Sequence, residues 1–243
     1  GLSEREAKAR LYLIDSKGLV LQDRKRLEPY KREFAQEPAR VAHWRIAGEI
    51  PTLLETVKEA KVTALIGLSG QRGAFGEAVV KAVCANTPYP LVFALSNPTA
   101  NGEATPEDVY RWSEGRAMIA TGSPFPDVAW QGSRHPVGQG NNAFIFPGLG
   151  LGALLSKARR ISDGMLLAAA RALAEYVDPA RLELGGVYPK IDKLRAASKR
   201  VALAAMAQAQ REGLAQTELP SDLEAYLDEK TWHPVYLPIR PAG

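Results

Sequence analysis

Two stretches of this chain combine residue types suited to holding a small polar molecule. The first is LVFALSNPT, residues 91–99. An apolar run with β-branched and aromatic members breaks off abruptly into Ser96, Asn97, Pro98 and Thr99. Such a run reads as a strand buried on both faces. Proline then ends it, which sets the Asn97 amide at the carboxyl end of the strand, where open α/β sheets bind ligands. A side-chain amide offers two donors and an acceptor, a set that suits a molecule carrying carboxylates and a hydroxyl. Asn-Pro is also a routine turn former, so a function for Asn97 rests on the company it keeps. The second stretch is GQGNN, in which Asn141 and Asn142 precede an apolar helix expected over 149–155. One amide serves as a helix cap; two in a row exceed what a cap needs.

A third stretch, Asp15-Ser16-Lys17-Gly18, follows a strand expected over 11–14. An acid at the tip of the second strand of a Rossmann unit bonds the adenosine ribose hydroxyls. Ser16 and Lys17 add a hydroxyl and a cation suited to a 2′-phosphate, and Arg24, Lys25, Arg26 and Lys31 keep the segment basic. The same four residues also read as a plain turn.

The elements that must position these groups alternate. A helix over 51–61 places Leu53, Leu54 and Val57 on one side, and a strand over 62–66 runs into Gly67-Leu68-Ser69-Gly70, with Gly73 and Gly76 beyond. Strand, glycine turn and helix start bring backbone amides against a cofactor. The spacing is not G-x-G-x-x-G, however, and a close helix–sheet contact explains it equally. Thr105-Pro106-Glu107-Asp108 opens another helix that stops at Gly115, and a strand over 116–121 ends in Gly122-Ser123-Pro124. Strands alternating with helices imply an α/β fold, a Rossmann-type doubly wound parallel sheet. Gly148, Gly150 and Gly152 mimic a nucleotide fingerprint, but no strand precedes them, so close helix packing is the better reason. Further helices are expected over 165–177 and over 190–211, the latter with Ile191, Leu194, Val201 and Ala205 on its inner face. The tail from Leu219, with Tyr226, Trp232, His233, Pro234 and Tyr236, reads as an irregular arm packed on a neighbour. The expected division is a nucleotide-binding domain over 1–160 and a helical C-terminal extension with its tail over 161–243.

The totals narrow the function classes. Basic and acidic residues number 31 and 27, a net charge of +4, and they are interspersed; the densest basic cluster, 157–160, is short. No nucleic-acid partner is expected on that pattern. The single Cys84 excludes an internal disulfide and, in an apolar helical run, reads as a buried inert thiol. No apolar run is long enough to span a membrane and no signal peptide is visible, so the expected location is cytoplasmic. The chain opens on Gly1 and enters a helix over 3–9 at once, which reads as a chain cut into mid-domain.

LIDSKGLV, FALSNPTANGEATPEDVYRWSEGRAMIATGSPF, GQGNNAFIFPGLGLG and RRISDGMLLAAARAL, in this order, resemble the carboxyl-terminal, cofactor-binding half of malic enzyme, over residues 11–232. That family oxidises L-malate with NAD or NADP and a divalent metal, Mg or Mn, then decarboxylates the product to pyruvate. The resemblance implies that Asn97 and Asn141, with Asn142 beside them, bind malate. It also implies that Asp15 holds the ribose and that Leu68, Ser69 and Gly70, together with Asn97, line the nicotinamide side. Ser16, Lys17 and Lys31 stand where a 2′-phosphate would be read, which favours NADP. The family's first strand and its G-x-G-x-x-G turn are missing, as are the metal-ligating carboxylates, the catalytic tyrosine and lysine and the malate-binding arginine. No catalytic residue and no metal ligand is therefore assigned to this chain, and alone it is expected to be inactive. The expected partners are malate and pyruvate, the missing amino-terminal portion, and further copies in a dimer or tetramer. The alternative is a non-catalytic NAD(P)-binding or assembly module.

Overall fold

The computed structural model describes residues 1–232, 234 and 236. Contacts divide the chain into two compact units, Gly1–Asn141 with Asp178–Tyr188, and Asn142–Val177 with Pro189–Gly243.

The first unit opens with α1 (Glu4–Lys8), held by a capping box in which Ser3 and Glu6 satisfy each other's amides. Next, β1 (Ile14–Asp15) and β2 (Gly18–Leu19) form an antiparallel hairpin. The strand expected over 11–14 is thus only two residues long and sits outside the parallel sheet. The turn Asp15-Ser16-Lys17-Gly18 reverses the chain at once, and an antiparallel partner needs only that local closure, whereas a parallel one needs a crossover. The short helices α2 (Pro29–Arg32) and α3 (Pro38–Val41) each begin with proline.

The core of the unit follows. Helix α4 (Leu53–Glu59) starts at a second capping box, Thr52 with Glu55. Then β3 (Ala64–Gly67), α5 (Glu77–Asn86), β4 (Leu91–Ala94), α6 (Pro106–Ser113) and β5 (Met118–Thr121) alternate. A hairpin of β6 (Val128–Trp130) and β7 (Ser133–His135) leads to β8 (Gly138–Gln139). The strands β3-β4-β5-β8 lie side by side in that order, all parallel. Val57, Val80 and Val83 from α4 and α5 pack with Val92, Ile119, Val109 and Tyr110. Burying each such side chain contributes roughly 1.5–3 kcal/mol relative to leaving it in water. Only one face of β4 is sealed: Val92 and Ala94 are buried, while Leu91 and Phe93 are half-buried. The helices meet the first face, and the other receives Tyr188, whose ring centroid lies 6.3 Å from that of Phe93. Cys84 is buried, and burial pushes its thiol pKa up, in keeping with an inert side chain.

The second unit is helical. A 3₁₀ turn (Asn142–Phe144) leads into α7 (Phe146–Leu155) and α8 (Asp163–Glu175). The chain then passes through the 178–188 segment of the first unit, which carries α9 (Pro179–Glu183). It continues into α10 (Leu194–Arg211) and α11 (Leu223–Lys230). Helix α10 packs on both α7 and α8, and Val201, Ala202, Ala205 and Met206 are fully buried on it. Ile191 is not on that inner face. It lies in a 3₁₀ turn (Ile191–Lys193) and is 56% exposed, because the tighter turn takes it off the stripe of α10. The tail carries a helix over 223–230 that its composition does not suggest. Asp222 caps α11, and Leu219 and Leu227 are buried with Ala202 and Met206. Trp232 and Tyr236 are exposed, and His233 lies outside the described residues.

Two of the three glycines of α7 are explained by packing. A Cβ at Gly148 would stand 2.3 Å from the Ser198 carbonyl oxygen, and one at Gly152 would stand 2.7 Å from that of Ala202. A Cβ at Gly150 would meet nothing. Gly148→Ala or Gly152→Ala is therefore expected to cost roughly 1–3 kcal/mol through overpacking. Gly150→Ala should instead gain about 0.5–1 kcal/mol by removing a helix-interior glycine. Thermal unfolding of the three variants decides; equal shifts at all three would contradict the packing account.

Candidate functional site

The hairpin β1–β2 holds the first polar cluster. Arg24 Nη1 donates to both oxygens of Asp15, at 2.8 and 2.7 Å. Its Nη2 is anchored on the carbonyls of Leu19 and Gly18, at 2.8 and 3.3 Å. Lys31 Nζ reaches Asp15 Oδ2 at 3.0 Å, and the Lys17 backbone N–H donates to Oδ1 at 3.0 Å. Burial pushes the Asp15 carboxyl up, but the bonds from Arg24, Lys31 and Lys17 outweigh it and bring its pKa down to about 2. Lys31 also pairs with Glu28 at 3.2 Å, and its two carboxylate partners raise its pKa. Ser16 and Lys17 are exposed at the turn. The Lys17 backbone and the Lys31 side chain, from α2, thus meet Asp15 at the hairpin. Arg24, only one of several basic residues in the sequence, reaches both carboxylate oxygens from one nitrogen.

The second cluster lies at the carboxyl ends of the parallel strands. After β4 the chain passes through Ser96 and Asn97 to Pro98, with the Asn97–Pro98 peptide cis. Ser123, in the loop after β5, donates from Oγ to Asn97 Oδ1 at 2.6 Å. Asn141, just after β8, donates from Nδ2 to the Gly122 carbonyl at 3.2 Å. The amides of Asn97 and Asn141 therefore converge on one loop. They do so because β4, β5 and β8 are parallel neighbours whose carboxyl ends share one edge of the sheet. Asn142 is exposed and opens the 3₁₀ turn of the second unit.

The glycine turn after β3 joins the same edge through a residue that the sequence reading missed. Glu103 is fully buried. Its Oε1 accepts from the Ser69 N–H and Oγ, at 3.0 and 3.1 Å, and from Ser96 Oγ. Its Oε2 accepts from the Ser96 N–H at 3.3 Å. Ser96 Oγ in turn accepts from the Gly70 N–H at 2.8 Å. Gly67 has to lack a side chain here, since a Cβ would stand 2.5 Å from Glu103 Cδ. Leu68, at the tip of the turn, is 75% exposed. In the sequence Glu103 sits in N-G-E-A, a loop acid among small residues, and nothing local marks it as buried. Ser96 and Ser123 did carry a signal: S-N-P and G-S-P end two neighbouring strands. Among the described residues no group of three or more His, Cys, Asp or Glu side chains is placed to hold a metal ion. The metal that the resemblance implies finds no donor set in them.

Residues 1–210 match the family described as malic enzyme, NAD binding domain. The chain belongs to the malic enzyme family. It is 42% identical over 236 residues to the NAD-dependent malic enzyme of Shewanella denitrificans, an alignment covering 97% of this chain and 42% of that protein. The NAD-dependent malic enzyme of Edwardsiella ictaluri is 41% identical with the same coverage. Among solved structures, the malic enzyme of Entamoeba histolytica superposes with a TM-score of 0.67 at 25% identity, over 90% of this chain and 41% of that one. That of Pyrococcus horikoshii gives 0.65 at 25% identity, over 87% and 43%. The chain thus spans 42% of the length of the curated relatives it matches. Its α/β sheet is the Rossmann-type sheet of the malic enzyme NAD-binding domain.

Proposed function

We propose that this chain is the nucleotide- and substrate-binding half of an enzyme that oxidises L-malate and decarboxylates the product to pyruvate and carbon dioxide. The observation that carries this reading is the convergence of Asn97 and Asn141 on the loop Gly122-Ser123, beside the glycine turn that follows β3. The nicotinamide of the cofactor supplies the hydride acceptor for the carbon bearing the malate hydroxyl. The residues of this chain bind and orient. Asn97 presents an amide donor to a substrate oxygen, and Asn141 adds a second amide at the same edge of the sheet. The Asp15 carboxylate, held ionised, accepts from the ribose hydroxyls. The turn Leu68-Ser69-Gly70 lines the nicotinamide side, stiffened from behind by Glu103. The proton carriers and the metal donors belong, in this reading, to the rest of the parent polypeptide, and the isolated chain has no malate-oxidising turnover.

The cofactor in this reading is NAD. The relatives at 41–42% identity are named NAD-dependent, and in this chain Lys31 is already engaged by Asp15 and Glu28. A 2′-phosphate would compete with the carboxylate for Lys31 and Arg24, whereas a free diol brings no charge that would draw them off. The second reading, NADP, rests on the number of cations around Asp15: Arg24, Lys31 and the neighbouring Lys17. The test is kcat/KM for both cofactors in the full-length enzyme, with Lys17→Ala and Lys31→Ala alongside. NAD preference, changed less than about threefold by either variant, is expected. A preference for NADP that swings toward NAD by roughly tenfold or more in either variant would establish the phosphate reading instead, since a charge-assisted bond is worth about 1.5–3 kcal/mol.

A further inference from the structure

We propose that Ser123 is a positioning residue that fixes which end of the Asn97 amide faces the substrate. The inference rests on the reading of Asn97 as a substrate amide and goes one step further, to how its polarity is set.

An Asn side chain is two-faced: rotation by half a turn exchanges an acceptor for a pair of donors. A dicarboxylate presents mostly acceptor oxygens, so only the donor end makes a productive bond. Asn97 is exposed at the edge of the sheet, and exposure alone would leave the amide free to turn. Ser123 removes that freedom. Its side chain is 7% exposed, and its Oγ stands 2.6 Å from Asn97 Oδ1. Among the described residues Asn97 Oδ1 is the one acceptor the Ser123 hydroxyl reaches. Turned over, the amide would still bond Ser123, Nδ2 donating to Oγ, but the buried hydroxyl proton would be left without an acceptor among the described residues, which sets the preference at a few-fold, up to about tenfold.

The backbone beneath Ser123 is itself fixed. Thr121, 2% exposed, donates from Oγ1 to the Ser123 carbonyl at 2.9 Å. Gly122 presses directly on the end of β4, since a Cβ there would stand 2.1 Å from the Leu95 carbonyl oxygen and 2.8 Å from Asn97 Nδ2. Its own carbonyl takes the Asn141 amide at 3.2 Å. One loop therefore sets both amides, and with Oδ1 taken by Ser123 the Asn97 Nδ2 has no hydrogen-bond partner within the described residues. It is the donor left for a ligand oxygen.

The test is a double-mutant cycle in the full-length enzyme. Ser123→Ala is expected to lower kcat/KM for malate by roughly five- to tenfold, the value of one neutral hydrogen bond near the top of its range, with KM for the dinucleotide within twofold of wild type. In an Asn97→Ala background the same change should have almost no further effect, because there is no amide left to orient. Asn97→Asp provides a readout that leaves Ser123 intact. It keeps the shape and the bond to Ser123 but replaces the donor by an oxygen, so it should be at least as damaging as Asn97→Ala. A large loss in Asn97→Ala with wild-type kinetics in Ser123→Ala, or equal losses from Ser123→Ala in both backgrounds, would overturn the positioning role alone. Wild-type kinetics in Asn97→Asp would overturn the donor orientation. Wild-type kinetics in Asn97→Ala would overturn the substrate reading of Asn97 and this inference with it.

Discussion

Replacing Asn97 or Asn141 by alanine in the full-length enzyme is expected to cut kcat/KM for malate by about 10- to 150-fold. The figure follows from the charge of the ligand. A hydrogen bond to a charged group is worth about 1.5–3 kcal/mol, and each substitution removes one such donor without touching the sheet. Both amides stand on the loop after β5, Asn97 through Ser123 and Asn141 through the Gly122 carbonyl, so losing one leaves the other in place. The effect should fall on malate more than on the dinucleotide, whose ribose is expected at Asp15 and whose nicotinamide side Asn97, but not Asn141, is expected to line. Asn142→Ala is the comparison. It is exposed and begins a turn of the other unit, and its loss should be several-fold smaller. Steady-state kinetics with malate and dinucleotide varied in turn would separate the two. Wild-type values in both Asn97→Ala and Asn141→Ala would reduce these residues to a turn former and a loop brace.

The parallel sheet was legible in the sequence because its strands announce themselves twice, by an apolar run and by the break that follows. LVFAL stops at Ser96-Asn97-Pro98, and MIAT stops at Gly122-Ser123-Pro124. These breaks also place the candidate site, since the carboxyl ends of neighbouring parallel strands must meet. The strand over 11–14 was not legible in the same way. Its apolar residues are too few to distinguish a buried sheet strand from one arm of a hairpin, and the turn after it closes on the nearer partner. The roles of Arg24 and Glu103, and the bond by which Ser123 meets Asn97, were invisible for a common reason. Each is defined by a partner distant in sequence, at separations of 9, 34 and 26 residues, and local pattern carries no record of that. The glycines of α7 show the converse: the absence of a preceding strand ruled out the nucleotide fingerprint, and packing against α10 supplied the reason.

Glu103→Gln is expected to destabilise the first unit by roughly 3 kcal/mol at neutral pH, a fall of about 6–12 °C in Tm for a protein of this size. The carboxylate is fully buried, and among the described residues no cation pairs with it. What stabilises its charge is a ring of donors: the Ser69 and Ser96 backbone amides and both serine hydroxyls. Glutamine keeps the shape but turns one acceptor oxygen into a donor, which then faces donors of the same kind. The buried groups that lose their partner each cost about 1–3 kcal/mol, and the serine hydroxyls recover part of this by rotating. The pH dependence gives a second readout. Burial pushes the Glu103 carboxyl up, but hydrogen bonds from Ser96, from its own backbone and from Ser69 outweigh it, so its pKa lies below the ordinary glutamate value. A lowered folded pKa stabilises the protein above the unfolded pKa and loses that contribution as pH falls through the folded one. The gap between wild type and Glu103→Gln should therefore be full at pH 7 and shrink as the solution is taken below the ordinary glutamate range. Gly67→Ala should be damaging for the same reason, since the new methyl would press on Glu103 Cδ, and its cost should drop when combined with Glu103→Ala. Equal melting temperatures for wild type and Glu103→Gln at pH 7, or a gap that stays constant into acid, would show that the carboxylate charge is not what ties the glycine turn to the end of β4.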